Sequence, residues 1–202
     1  MKSIDRTTVA GRRDYALFAL MFNTGARVQE ILDLRASDVR LEPPYQVRLR
    51  GKGGKVRVCP IWTHTAARLR ELAARTTTQP DGDAPLFANR QGLKLSRFGV
   101  RYLLQKHIDA CPAAKSLRDK HIHPHSLRHT TAIHLLKAGV DFATISQWLG
   151  HATLSTTMIY ARADLDLKRQ ALAQVFPDVL TPPSAGRVAL SRIDVVSWLR
   201  RL

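Results

Sequence analysis

The chain has 202 residues, 45% apolar and only 6% aromatic, a globular composition able to bury roughly 70% of its unfolded surface in one large domain or two small ones. No apolar run is long enough to span a bilayer, and residues 1–6 lack the apolar stretch and small-residue cleavage site of a secreted protein, so the expected location is the cytoplasm. Thirty-two Lys plus Arg against 16 Asp plus Glu, a net charge of +16, favour a polyanionic partner, nucleic acid foremost, with ribosomal and membrane surfaces as the other basic classes.

The first pattern is an almost continuous apolar run over residues 12–22, which predicts a helix buried on most sides, ended by Asn23-Thr24-Gly25. Val28, Ile31, Leu32 and Leu34 then recur at helical spacing, so a second helix begins near Arg27 and places that arginine at an interhelical corner. Over residues 38–61 the pattern changes to short alternating segments, 39–41, 46–50 and 56–58, punctuated by Pro43-Pro44 and Gly51-Lys52-Gly53-Gly54. These predict a small three-stranded antiparallel sheet. Arg48, Arg50, Lys52, Lys55 and Arg57 follow one another here without an acidic residue between them, so one face or tip is expected to bind a phosphate backbone.

Helices are predicted again over residues 64–75 and over 97–110 behind Ser96 as N-cap, joined by a loop at 76–85. Further helices follow over 125–138, stopped by Gly139, and over 142–149, between Asp141 and Gly150. Residues 154–160 and 165–176 also read as helical. The Pro/Ser/Gly stretch 181–186 reads as a linker, with an apolar stripe of Ile193, Val196 and Leu199 on a terminal helix over 191–202. Cys59 and Cys111 stand far apart outside any Cys-x-x-Cys spacing, which points to neither a disulfide framework nor a cysteine zinc site. His121, His123, His125 and His129 cluster in sequence, but no cysteine or carboxylate completes a metal set and Pro124 interrupts the spacing.

Four patterns occur in order: Thr24-Gly25-Ala26-Arg27-Val28-Gln29-Glu30, Gly51-Lys52-Gly53-Gly54-Lys55, His125-Ser126-Leu127-Arg128-His129, and Leu149-Gly150-His151 followed nine residues later by Tyr160. Together, over residues 14–176, they resemble the tyrosine recombinase (phage integrase) family. The resemblance implies an α+β, mainly helical catalytic domain over residues 1–180, then a linker at 181–190 and a C-terminal amphipathic helix at 191–202 that docks either on its own domain or on a neighbouring protomer. It implies the active-site set Arg27, Lys52, His125, Arg128, His151 and Tyr160; the basic run then leaves Arg48, Arg50, Lys55 and Arg57 as DNA contacts, and His129 as a DNA-facing or capping group.

Elementary chemistry asks for the same residue types. A phosphodiester attacked in line builds charge on its non-bridging oxygens, which two guanidinium groups hold through planar, charge-assisted hydrogen bonds. These are Arg27 and Arg128. A tyrosine, with an ordinary pKa of about 10, needs a proton acceptor and cationic surroundings to attack near neutral pH. His125 is the expected base, His151 a donor to the phosphate, and Lys52 the acid for the departing 5′-oxygen, with Lys55 three residues away as its competitor. Each residue also has an ordinary structural role: surface cation, helix-capping histidine, or core tyrosine on the apolar side of Met158-Ile159-Tyr160-Ala161.

The expected activity is site-specific cleavage and rejoining of double-stranded DNA through a 3′-phosphotyrosyl intermediate with release of a 5′-hydroxyl. The family carries this out as four protomers on two sites, with no metal or other cofactor and no membrane partner. A type IB topoisomerase-like activity and a non-catalytic DNA-binding competitor or accessory of a full-length integrase are the alternatives; the Xer-like wording of the motifs argues against the first and the intact six-residue set against the second. One departure from the family stands out: the catalytic pattern starts near residue 14, without the helical core-binding domain that closes around DNA. The chain is therefore expected to be either a fragment of a longer protein or a short member that depends on a partner.

Overall fold

The computed structural model describes residues 3–76, 84–111, 122–151 and 153–163. The predicted linker and terminal helix beyond 163 lie outside the described residues, as does His121. Helix α1 (Val9–Thr24) is the central element. Thr8 caps it by accepting from the Gly11 amide at 3.0 Å, so the helix begins three residues earlier than its apolar run. The early turn escapes the periodicity because Val9 points to solvent. Beyond it, Ala16 to Met21 are all buried, as the unbroken apolar run requires. Gly25 ends the helix at φ 59°, a left-handed conformation that favours glycine, and a Cβ there would stand 2.5 Å from Leu149 Cδ2.

Helix α2 (Val28–Leu32) starts directly after Arg27, its N-cap, and leads through a short 3-10 turn (Ala36–Asp38) to the sheet. Strands β1 (Val39–Arg40), β2 (Gln46–Arg50) and β3 (Val56–Pro60) form an antiparallel meander in the order β1-β2-β3. On β2, Val47 and Leu49 are buried while Arg48 and Arg50 face outward, the alternation a half-buried strand demands. The β2–β3 register sets Arg48 opposite Val58, Leu49 opposite Arg57 and Arg50 opposite Val56. Paired residues share a face, so Arg48 and Arg50 stand outside with two valines, whereas Arg57 shares the inner face with Leu49 and Cys59. The β2–β3 tip is a tight turn through Lys52–Gly54, with Gly53 and Gly54 at φ 75° and 74°.

Helices α3 (Thr63–Thr76) and α4 (Arg97–Asp109) follow, the second capped by Ser96 as expected. Helix α5 (Pro124–Lys137) opens with proline at its first turn, where the missing N–H costs nothing, and Gly139 follows its end at φ 80°. Helix α6 (Phe142–Leu149) runs between the Asp141 cap and Gly150 at φ 65°. Helix α7 (Leu154–Ala163) carries Tyr160 and packs on α5 and α6. α1 packs against both α3 and α5. The core gathers Leu17, Leu20, Met21, Ile31, Leu32, Leu49, Leu69, Phe87 and Val100 from helices, sheet and the 84–95 segment, each buried side chain contributing about 1.5–3 kcal/mol. The carboxylate of buried Asp14 ties α4 to α1, taking Arg13 at 2.6 Å and His107 Nε2 at 2.9 Å.

Candidate active site

Three helix ends converge beside the sheet tip. The last carbonyls of a helix have no partner within it and carry its negative dipole, so they hold cations. Arg128, on the first turns of α5, donates to Gly25 O at the end of α1 and to Leu149 O at the end of α6, both at 2.7 Å. Arg27 donates to Gly150 O at 3.3 and 3.4 Å and to Glu30 Oε1 at 3.1 Å. Distant segments thus bring both arginines to one place. Arg128 is only 2% exposed; burial, and then the charge of Arg27, lower its pKa to about 10, which still leaves it cationic at neutral pH.

Glu30 organises the remaining cations. It caps α2 by accepting from the Arg27 amide at 2.8 Å, and it receives Arg57 Nη1 and Nη2 at 2.9 and 2.8 Å. Burial works to raise its pKa, but the hydrogen bonds and charges of Arg57 and Arg27 outweigh that and hold it below the ordinary carboxylate value. Arg57 also donates its Nε–H to Trp148 O at 2.9 Å. The guanidinium of Arg57, an expected DNA contact, is turned inward and paired with Glu30. Across elements, Arg48 and Arg50 each pair with Asp38, at 3.1 and 3.3 Å. Both remain on the outer face, with 48% and 59% of the side chain exposed.

Lys52, Lys55, Arg27 and His151 line one cleft of about 330 Å³ with Arg57 and Gly150 as its inner wall. The sheet tip and the Arg27 corner therefore face the same space, and either lysine has access to it. Gly150 is needed here: a Cβ would stand 2.8 Å from Arg57 Nη1.

His151 Nδ1 lies 2.7 Å from the buried Thr157 hydroxyl. Burial, followed by the charges of Arg128, Arg27 and Arg57, lowers its pKa to about 4, so the ring is neutral at pH 7. A neutral ring accepting the Thr157 hydroxyl at Nδ1 carries its proton on Nε2, as a donor to phosphate requires. The Tyr160 ring stacks near His151, with centroids 6.4 Å apart. Its hydroxyl lies 3.0 Å from His129 Nδ1. Burial raises the Tyr160 pKa, against the lowering charge of Arg128. His125 is exposed and meets His129 edge to face at 4.6 Å; burial, then His129 and Arg128, lower its pKa.

All six expected residues thus lie around one site. Sequence reasoning had left Glu30 and Thr157 without a role and had given His129 to DNA. An acidic residue at the third position of α2, where it can accept the N-cap amide, is the signal that could have marked Glu30.

The phage integrase family profile matches residues 1–166. The chain belongs to the phage integrase family. It is 41% identical over 191 residues to a Sinorhizobium fredii protein, y4rC, named as an integrase/recombinase, covering 94% of this chain and 55% of that one. It is 36% identical over 176 residues to the tyrosine recombinase XerC of Pelobacter propionicus, covering 85% of this chain and 55% of the relative. This family member therefore spans about half the length of the curated relatives it matches. Its fold matches XerH site-specific recombinase bound to palindromic difH substrate, in a post-cleavage complex, with TM-score 0.72 and 27% identity over 85% of this chain and 49% of that chain. The mainly helical catalytic domain with its small antiparallel sheet is that of the tyrosine recombinases.

Glu30→Gln should lower the stability of this integrase-family domain by about 3 kcal/mol, since it leaves Arg57 buried without its anion. Because the folded-state pKa of Glu30 is depressed, its contribution is full above the unfolded carboxylate pKa and is lost as pH falls through the folded value. Denaturant titrations between pH 3 and 7 should therefore show a flatter acid limb in the variant; an equal slope in both proteins would remove Glu30 from this role.

Proposed function

We propose that this chain is the catalytic domain of a site-specific recombinase that cleaves and rejoins double-stranded DNA through a 3′-phosphotyrosyl intermediate, acting in the cytoplasm as four protomers on two sites. The observation that carries this reading is a tyrosine hydroxyl hydrogen-bonded to His129, its ring beside His151, on a family-matched fold whose helix ends hold Arg128 and Arg27 next to a lysine-lined cleft. Tyr160 attacks phosphorus and the 5′-oxygen leaves. Arg27 and Arg128 hold the non-bridging oxygens, and neutral His151 donates to one of them. Lys52, on the sheet tip, protonates the 5′-oxygen, with Lys55 lining the same cleft. Arg48 and Arg50 offer their exposed guanidinium groups to the backbone of the same duplex.

The solved XerH complex, a relative by fold, is a post-cleavage complex with DNA, which supports DNA as the partner.

The test is a nicked suicide substrate whose cleaved fragment diffuses away and traps the adduct. A DNA–protein species stable on denaturing gels, with the DNA mapped by mass spectrometry to the Tyr160 peptide, is expected. Absence of the adduct, or attachment at another residue, overturns the reading. Relaxation of a plasmid lacking any target site would instead favour a topoisomerase-like activity.

A further inference from the structure

Among the described residues, His129 Nδ1 is the hydrogen-bond partner of the Tyr160 hydroxyl, at 3.0 Å. His125, the base expected from the motif, is one helical turn before it on α5 and touches the His129 ring edge rather than the phenol. We propose that His129 accepts the Tyr160 proton as the phenol attacks phosphorus and returns it when the strand is resealed. This rests on Tyr160 as nucleophile.

The step balances without a further reactant. The Oη–H bond breaks with its proton going to Nδ1, the Oη lone pair forms the bond to phosphorus, and the P–O5′ bond breaks with its pair leaving on the 5′-oxygen, which Lys52 protonates. In the reverse direction the 5′-hydroxyl attacks phosphorus as its proton returns to neutral Lys52, the P–Oη bond breaks with its pair on Oη, and protonated His129 gives its proton back to the phenolate.

Geometry supports this role from both sides. His129 is held at the Tyr160 oxygen by hydrogen bond and ring contact, with ring centroids 5.6 Å apart, so the acceptor is in place before DNA arrives. The groups facing it are the His125 ring, the Tyr160 phenol, and the charges of His123 and Arg128. Burial, then those two charges, lower the His129 pKa and keep it neutral at pH 7, able to accept. His125 then meets edge to face the imidazole that becomes cationic, leaving its own nitrogens for the phosphate.

The experiment has a DNA-free arm and a kinetic arm. In the full chain, ¹⁵N NMR of the histidines should show the His129 Nδ1 resonance moving when Tyr160→Phe removes its partner; an unmoved resonance overturns the proposal. With the suicide substrate, His129→Ala should slow adduct formation by about 10²–10³-fold while DNA binding is retained, and added imidazole should restore part of the rate. The wild-type rate should rise with pH through the His129 ionisation, because the neutral ring is the acceptor, and this limb should vanish in His129→Gln, which keeps a hydrogen-bonding group but takes no proton. A His129→Gln protein as fast as wild type, or an acid limb that survives the substitution, overturns the proposal. If both variants fail to fold, the wild-type NMR comparison still decides. Failure of the underlying reading looks different: wild type forms no adduct, or Tyr160→Phe forms one.

Discussion

Tyr160→Phe is expected to abolish covalent attachment to a suicide substrate while DNA binding is unchanged. The substitution deletes one oxygen from a side chain that is almost wholly buried, so the ring still packs beside His151 and His129 and no cavity opens. The hydroxyl's recorded partner, His129, is itself exposed and can take water in its place, which limits the stability change to about 1 kcal/mol. Attachment, by contrast, has no ready substitute: the nearby Thr157 hydroxyl is buried and bonded to His151 Nδ1. Gel-shift affinity, melting temperature and adduct yield measured on one preparation separate these effects. An adduct that persists in the variant would take the nucleophile's role from Tyr160, and a parallel loss of DNA affinity would make the phenol a binding group.

The parts of this site that were legible in the sequence are those whose backbone demands a particular residue. Gly25 and Gly150 end helices in the left-handed region, and each is followed by a motif residue, Arg27 or His151, whose position the turn determines. The sheet was legible for the same reason, since Pro43-Pro44 and the Gly51–Gly54 stretch punctuate its strands. The inward turn of Arg57 was available from parity, because it alternates with Val56 and Val58 and falls in phase with Cys59. Five cations in a row outweighed that phase, and the acid that answers Arg57 stands 27 residues away on α2. Asp38 is likewise remote in sequence from the arginines it pairs with. Charge pairing across elements is a tertiary fact, so a local count of basic residues overstates the free positive surface.

The choice between His125 and His129 shows a different limit. The two are spaced one helical turn apart on α5 and share a face, so periodicity places both toward the site and cannot rank them. What ranks them is where α7 delivers Tyr160, and that depends on the packing of α7 on α5 and α6. The motif resemblance gives the base role to the first histidine, His125, whereas the hydrogen bond to the phenol is made by the second, His129.

Arg128→Ala should reduce adduct formation by at least about 10³-fold, a loss of roughly 4 kcal/mol of transition-state stabilisation. Of the guanidinium's five N–H groups, the hydrogen bonds to Gly25 O and Leu149 O engage two and leave the rest for a phosphate. Those two bonds fix the plane of the guanidinium before DNA binds, so little reorganisation remains when charge builds on phosphorus. Removal also leaves two helix-end carbonyls without their buried donor, which costs about 2 kcal/mol of stability and lowers Tm by roughly 6 °C in a chain of this size. Arg128→Lys separates the two contributions. One ammonium can satisfy a carbonyl and restore part of the stability, but it cannot bridge both helix ends and still present a planar pair of donors. The lysine variant is therefore expected to melt above the alanine variant yet cleave almost as slowly. Equal recovery of stability and cleavage in Arg128→Lys would show that Arg128 acts as a clamp between helix ends, with the phosphate held elsewhere.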